Sequence, residues 1–122
     1  RICDWFNVRS IICSKNTADC YNPKVVQASM GSIFRVDIIY TDLLQYLKMI
    51  KSPIYYACLD GKNIKKVEFP KNIHLVIGNE SKGINEDIIN LNSNKVTIKN
   101  FGSKTESLNV AVATSIFLYE ML

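Results

Sequence analysis

Histidine occurs once in the chain, at His74, and there are only five glycines and three prolines among 122 residues. One histidine cannot complete a common zinc set unless cysteines supply the rest. The four cysteines (Cys3, Cys13, Cys20 and Cys58) show no CxxC spacing, so a zinc motif is disfavoured. Three of the four lie in apolar surroundings, and free buried thiols in a reducing cytoplasm are the expectation. Neither a G-x-G-x-x-G run nor a P-loop is present, which argues against the common dinucleotide and nucleoside triphosphate folds. No apolar run approaches the roughly 20 residues that a membrane span requires. Arg1-Ile2-Cys3-Asp4-Trp5 also lacks the apolar core of a signal peptide. Charge of one sign is not in large excess. The net +4 comes from 15 Lys and Arg against 11 Asp and Glu, and it favours an anionic partner only weakly.

What is present is a globular composition, 48% hydrophobic and 21% charged, of a length that suits one domain over residues 1–122. The chain starts without Met inside what reads as a helix, and it is expected to be part of a longer protein. After a helix tail at 1–7, residues 8–13 read as a strand. Asn22-Pro23 is a helix start, because Asn can cap and Pro at the first helical position gives up no needed N–H. That helix should stop at Gly31. Residues 33–40 read as extended. Asp42 should cap a second helix carrying Leu43, Leu44, Leu47 and Ile50, closed by Pro53. Residues 54–59 form a strand and 60–63 a turn. The continuous apolar run 73–77 suits a strand buried on both faces, with His74 as a core or edge histidine. A short helix at 86–91 and a strand at 95–98 follow, and the last helix begins at Ser107 or Leu108. Strands that alternate with helices imply an α/β fold, a mostly parallel sheet with helices on both faces.

In such sheets ligands bind beyond the carboxyl ends of the strands. Two polar loops leave such ends, 78–83 after Ile77 and 99–106 after Ile98, and both contain glycine, which admits close backbone approach. Taken alone, each loop is a weak signal, and glycines that merely make tight turns are the commoner case. The last helix is apolar almost all round through Val110, Val112, Ile116, Phe117, Leu118, Met121 and Leu122. It should therefore be buried on most faces, at the centre of the domain, at a subunit interface, or both.

These segments resemble a known family. Leu75-Val76-Ile77-Gly78-Asn79-Glu80-Ser81-Lys82-Gly83-Ile84 is similar to the second motif of the SpoU/TrmH-type RNA ribose 2′-O-methyltransferases. Ile98 to Ala113, with Phe101-Gly102 and Glu106-Ser107-Leu108-Asn109-Val110, resembles the third. Asn22 to Gly31 is similar to the stretch between the first and second motifs. Arg1-Ile2-Cys3-Asp4-Trp5-Phe6 resembles the end of the first, with Arg1 in the place of the family's arginine. The likeness covers essentially the whole chain, in order. It departs at Lys99, where the family usually has proline, and at Gln27, where arginine is usual. The family's first strand and the earlier part of its first motif are missing.

The resemblance implies S-adenosylmethionine as cofactor and transfer of its methyl to a ribose 2′-hydroxyl of tRNA or rRNA. It implies a C-terminal deep trefoil knot that brings the two loops side by side, a homodimer through the C-terminal helix, and a cytoplasmic location away from membranes. Met30 and Gly31 would line the adenosine pocket, while Ile77, Gly78, Ile98, Ser107 and Leu108 would contact the cofactor. Arg1 would clamp a phosphate and polarise the hydroxyl, since an arginine does not readily give up a proton. Glu80 would orient its loop or accept a proton, or else be a solvated turn carboxylate. Ser107 and Asn109 would touch cofactor or substrate, or cap the last helix. A non-catalytic relic of the same fold and a knotted base methyltransferase stay open as alternatives.

Overall fold

The structure is a computed structural model that describes residues 1–102 and 104–122. The chain divides into two compact units, 1–46 and 47–122.

In the first unit, helix α1 (Ile2–Trp5) leads to strand β1 (Ser10–Ser14), helix α2 (Pro23–Ser29), a 3-10 turn at 32–34 and strand β2 (Asp37–Thr41). β1 and β2 pair in parallel from Ser10 with Asp37 to Ser14 with Thr41. Asn22 caps α2 as expected, its Oδ1 accepting from Lys24 N–H at 3.0 Å, with Pro23 in the first turn. The stop comes one residue earlier than Gly31. Met30 is itself left-handed (φ 48°), and Gly31 follows at φ 84°. The extended run expected over 33–40 starts only at Asp37, because the 3-10 turn comes first. Helix α3 (Leu43–Met49) spans the boundary between the units, and its Leu47 is buried.

The second unit holds strands β3 (Ile54–Asn63), β4 (His74–Val76) and β5 (Lys95–Thr97), a 3-10 turn at 64–66 and helices α4 (Glu86–Ile89) and α5 (Val110–Met121). Its sheet has the order β4-β3-β5, and both pairings are parallel. The parallel α/β architecture is therefore as expected, though the described residues form two sheets rather than one. β3 is central because both its faces are covered. Ile54 and Tyr56 are buried on one side, while Tyr55 and Ala57 pack on the other against a cluster of Ile64, Val96 and Phe117. Ile77 and Ile98 join that same cluster, as do Ala113, Ile116 and Met121 of α5.

Four expectations are corrected. The turn at 60–63 is a bulge inside β3: Ala57 and Lys62 both pair with Val96, so residues 58–61 stand out between them. β4 is half-buried, not enclosed on both faces, because it lies at an edge of this sheet. α5 starts at Val110 with Asn109 as its cap, not at Ser107 or Leu108. Finally, α5 is not covered on most faces within the chain. Phe117 is buried, yet Val112, Tyr119 and Leu122 are exposed.

His74 occupies the edge position that the sequence allowed for. Its N–H donates to the Pro53 carbonyl at 2.9 Å, and Ser52 Oγ lies 2.8 Å from its Nδ1. Burial lowers the pKa of its imidazole below the ordinary value, so the fold prefers the neutral ring. The unfolded chain then takes up the proton more readily as pH falls below about 6.5. Stability present at higher pH is lost across the interval between that value and the lower folded one. The fall in Tm from pH 8 to pH 5.5 should accordingly be smaller in His74→Gln than in the wild type, as thermal denaturation at both pH values will show.

Candidate cofactor site at the strand ends

The carboxyl ends of β3 and β5 frame an open cavity of about 790 Å³. It is lined by Leu59, Gly61 and Asn63 of β3, by Lys66 after it, and by Thr97, Ile98, Lys99, Asn100, Thr105 and Glu106 of β5 and the loop that follows. The close fit of the two strands depends on Gly61. A Cβ there would stand 2.5 Å from the Val96 nitrogen and 2.6 Å from its carbonyl carbon, so only glycine lets β5 lie against the bulge. Lys95 Nζ donates to Asp60 Oδ2 at 2.7 Å across the same bulge, holding that carboxyl below the usual carboxylate range. Beyond β5, Asn100 shapes the loop. Its Nδ2 donates to the Thr105 carbonyl at 2.9 Å, and its Oδ1 accepts from Gly102 N–H at 2.8 Å. Ser103, inside the loop expected at 99–106, lies outside the described residues.

The loop after Ile77 is drawn tight. Asn79 and Gly83 exchange both backbone hydrogen bonds, at 3.0 and 2.8 Å, and Asn79 Oδ1 accepts from the N–H groups of Ser81 and Lys82. A Cβ on Gly78 would meet the Gly83 carbonyl carbon at 2.5 Å. Gly78 thus admits the close approach of its own loop, the tight-turn alternative that the sequence left open. Glu80 is exposed at the tip.

Of the residues expected to hold the cofactor in this unit, Ile98 lines the cavity, and Ser107 and Leu108 follow directly from its last lining residue, Glu106. Ile77 and Gly78 do not line the cavity, and Ile77 instead packs against the core cluster that Ile98 also joins. The two loops do not leave neighbouring strands, since β3 lies between β4 and β5. Asn109 Oδ1 accepts from Ala111 N–H at 2.9 Å and from Val112 N–H at 3.4 Å, so its side-chain carbonyl is used in capping α5. Sequence reasoning missed Leu59, Gly61, Asn63 and Lys66. The available signal was a glycine beside a strand pattern, which marks close approach by another backbone.

Met30, Gly31 and Arg1 belong to the first unit. Met30 is 70% exposed and left-handed, a conformation costing a non-glycine residue about 1–2 kcal/mol. The turn that follows is anchored by Asp4 of α1. Asp4 Oδ2 accepts from Ser32 Oγ at 2.7 Å and from Arg35 Nε at 2.9 Å, and Arg35 Nη2 stands 2.8 Å away. Arg35, and then Ser32, hold the Asp4 carboxyl below its ordinary range. Arg1 precedes α1, its carbonyl accepting from Trp5 N–H at 2.8 Å.

Cys13 and Cys20 are buried, Cys3 and Cys58 half-buried, and all four are free thiols. Among the described residues no group of three or more His, Cys, Asp or Glu side chains is placed to hold a metal ion. No helix there is long and apolar enough to cross a membrane.

The parallel strands define an α/β protein with an open cavity at their carboxyl ends, the place where such sheets commonly bind ligands. Residues 1–119 match the model of the SpoU rRNA Methylase family, and the chain belongs to that family. It is 26% identical over 125 residues to the 23S rRNA (guanosine(2553)-2′-O)-methyltransferase of Bacillus subtilis, a match covering 99% of this chain and 50% of the relative. The AdoMet-bound rRNA methyltransferase of Sinorhizobium meliloti superposes with a TM-score of 0.90 at 25% identity, covering 98% of this chain and 48% of the other. The SpoU methyltransferase AviRb of Streptomyces viridochromogenes, in complex with AdoMet, gives 0.86 at 26% identity, covering 98% and 51%. The chain spans about half the length of the curated relatives it matches.

Proposed function

We propose that the chain is the catalytic domain of an RNA ribose 2′-O-methyltransferase acting on tRNA or rRNA in the cytoplasm, with S-adenosylmethionine as cofactor. The observation that carries this reading is the family match over residues 1–119, on a chain whose β3 and β5 ends frame a cavity. That cavity suits such a ligand in size, since small-molecule sites usually enclose about 300–1,000 Å³. Its lining is mixed. Leu59 and Ile98 offer apolar contact, Asn63, Asn100 and Thr105 offer hydrogen bonds, and the Glu106 carboxylate complements a cationic ligand.

Gly61, Ile98 and the backbone leading through Ser107 to Leu108 would hold the cofactor. Ile77 and Gly78 would support it from the loop after β4, and Met30 and Gly31 would contribute on the adenosine side. When bound, S-adenosylmethionine supplies an electrophilic methyl on a sulfonium that needs no acid to leave. The rest is positioning. Arg1 clamps the phosphate beside the target nucleotide and polarises its 2′-hydroxyl. Glu80 orients its loop or takes the proton that the hydroxyl gives up. Asn109, with its carbonyl engaged in the cap, acts through its amide NH2.

The C-terminal segment forms the family's deep trefoil knot. The exposed apolar side chains Leu108, Val112, Tyr119 and Leu122 support a homodimer through the C-terminal helix. The test is methyl transfer from isotopically labelled S-adenosylmethionine to bulk tRNA and rRNA. Label should enter RNA and appear on ribose.

A further inference from the structure

We infer that Phe101 is a stacking platform for an RNA base next to the methylated nucleotide, with Lys99 placed for that nucleotide's phosphate. The inference rests on the RNA methyltransferase reading and adds a determinant of substrate binding to it.

Phe101 is 87% exposed and takes no part in the core cluster. An aromatic ring left in water at the rim of a cavity has no packing reason to be there. Its position is held, because Asn100 bonds to Thr105 on one side and to Gly102 on the other, so residue 101 projects from a clamped turn. The neighbours of Phe101 in sequence, Lys99 and Asn100, line the cavity themselves. The ring therefore sits beside the proposed methyl-transfer site and not on a remote surface.

The surrounding charge selects the occupant. The Lys99 ammonium lies 5.0 Å from the centroid of the Phe101 ring. Lys66 also lines the cavity, and Lys104 follows in the same loop as Lys99. A ring flanked by cations suits a ligand that alternates flat π-faces with anions, which describes single-stranded RNA. Every base has a π-face, so the contact tolerates sequence while fixing where the strand enters.

The test is binding of a fluorescently labelled short oligouridylate, followed by anisotropy at fixed salt. Phe101→Ala should weaken binding roughly ten- to a hundredfold, the range that base stacking on one aromatic supports. Phe101→Trp should retain it, whereas Phe101→Leu, apolar but without a π-face, should not. Lys99→Ala should weaken binding and reduce the slope of log affinity against log salt by about 0.7. Affinity for S-adenosylmethionine by calorimetry and solution mass by sedimentation should match the wild type in every Phe101 variant. Unchanged RNA binding in Phe101→Ala, or full rescue by leucine, overturns the inference. So does a parallel loss of cofactor affinity or of the wild-type mass, which would make Phe101 a cofactor or subunit contact. Methyl transfer by the wild-type protein, measured alongside, keeps the two readings apart: intact transfer with RNA affinity indifferent to Phe101 removes the platform alone.

Discussion

Gly61→Ala is expected to lose about 3 kcal/mol of stability, the upper end of the usual overpacking cost, and most of its affinity for S-adenosylmethionine. The added methyl would sit 2.5 to 2.7 Å from three backbone atoms of Lys95 and Val96. Side chains can turn away from an intruding methyl, but β5 can only shift as a strand. Val96 is 1% exposed at the centre of the core cluster, so that shift unseats the packing beneath it. It also moves Thr97 and Ile98, which line the cavity. A Tm drop of roughly 10–20 °C by thermal denaturation checks the first effect, and calorimetric titration of the cofactor checks the second. Gly83→Ala is the informative contrast. Gly83 has φ 67°, but nothing lies within 4 Å of a Cβ there, so only conformational strain of about 1–2 kcal/mol is expected.

Phe117→Ala should be at least as damaging, at about 3–5 kcal/mol, the usual cost of deleting a buried phenyl ring. Phe117 is 3% exposed and is the one residue of α5 that the chain buries fully among the described residues. Its ring lies in the cluster to which Ile77 and Ile98 both contribute, and through it α5 bears on the two strand ends that the cofactor reading depends on. A cavity at this point should loosen the helix and the site together. The expected result is a lowered denaturant midpoint with cofactor affinity falling in parallel. Loss of stability with unchanged affinity would separate α5 from the site.

Much of this was legible in local sequence. Asn22-Pro23 opened α2 and Gly31 marked its end to within one residue, because caps are local chemistry. The alternation of strands and helices gave the parallel pairing. The bulge at 58–61 was not legible as such. Asp60-Gly61 has turn composition, and only the backbone of β5, more than thirty residues further on, turns that stretch into paired strand. The start of α5 was ambiguous because Ser107 and Asn109 are both capping types. Nothing in the local sequence says which one has its side-chain oxygen within reach of the first free N–H groups. The apolar circumference of α5 suggested burial on most faces, yet Val112 and Tyr119 are exposed, because composition gives a helix's character and not which of its faces the fold covers. The cavity residues Leu59, Asn63 and Lys66 escaped notice for the same non-local reason. They carry no motif and become a site only where β3 meets the loop after Ile98.

The most direct test of the account is the identity of the methylated nucleoside. RNA labelled by the protein from S-adenosylmethionine is digested to nucleosides and resolved by mass spectrometry. The account predicts a nucleoside carrying the new methyl on the ribose 2′-oxygen with the base unchanged. A methyl found on the base, or cofactor binding with no label transferred to any RNA, would contradict it.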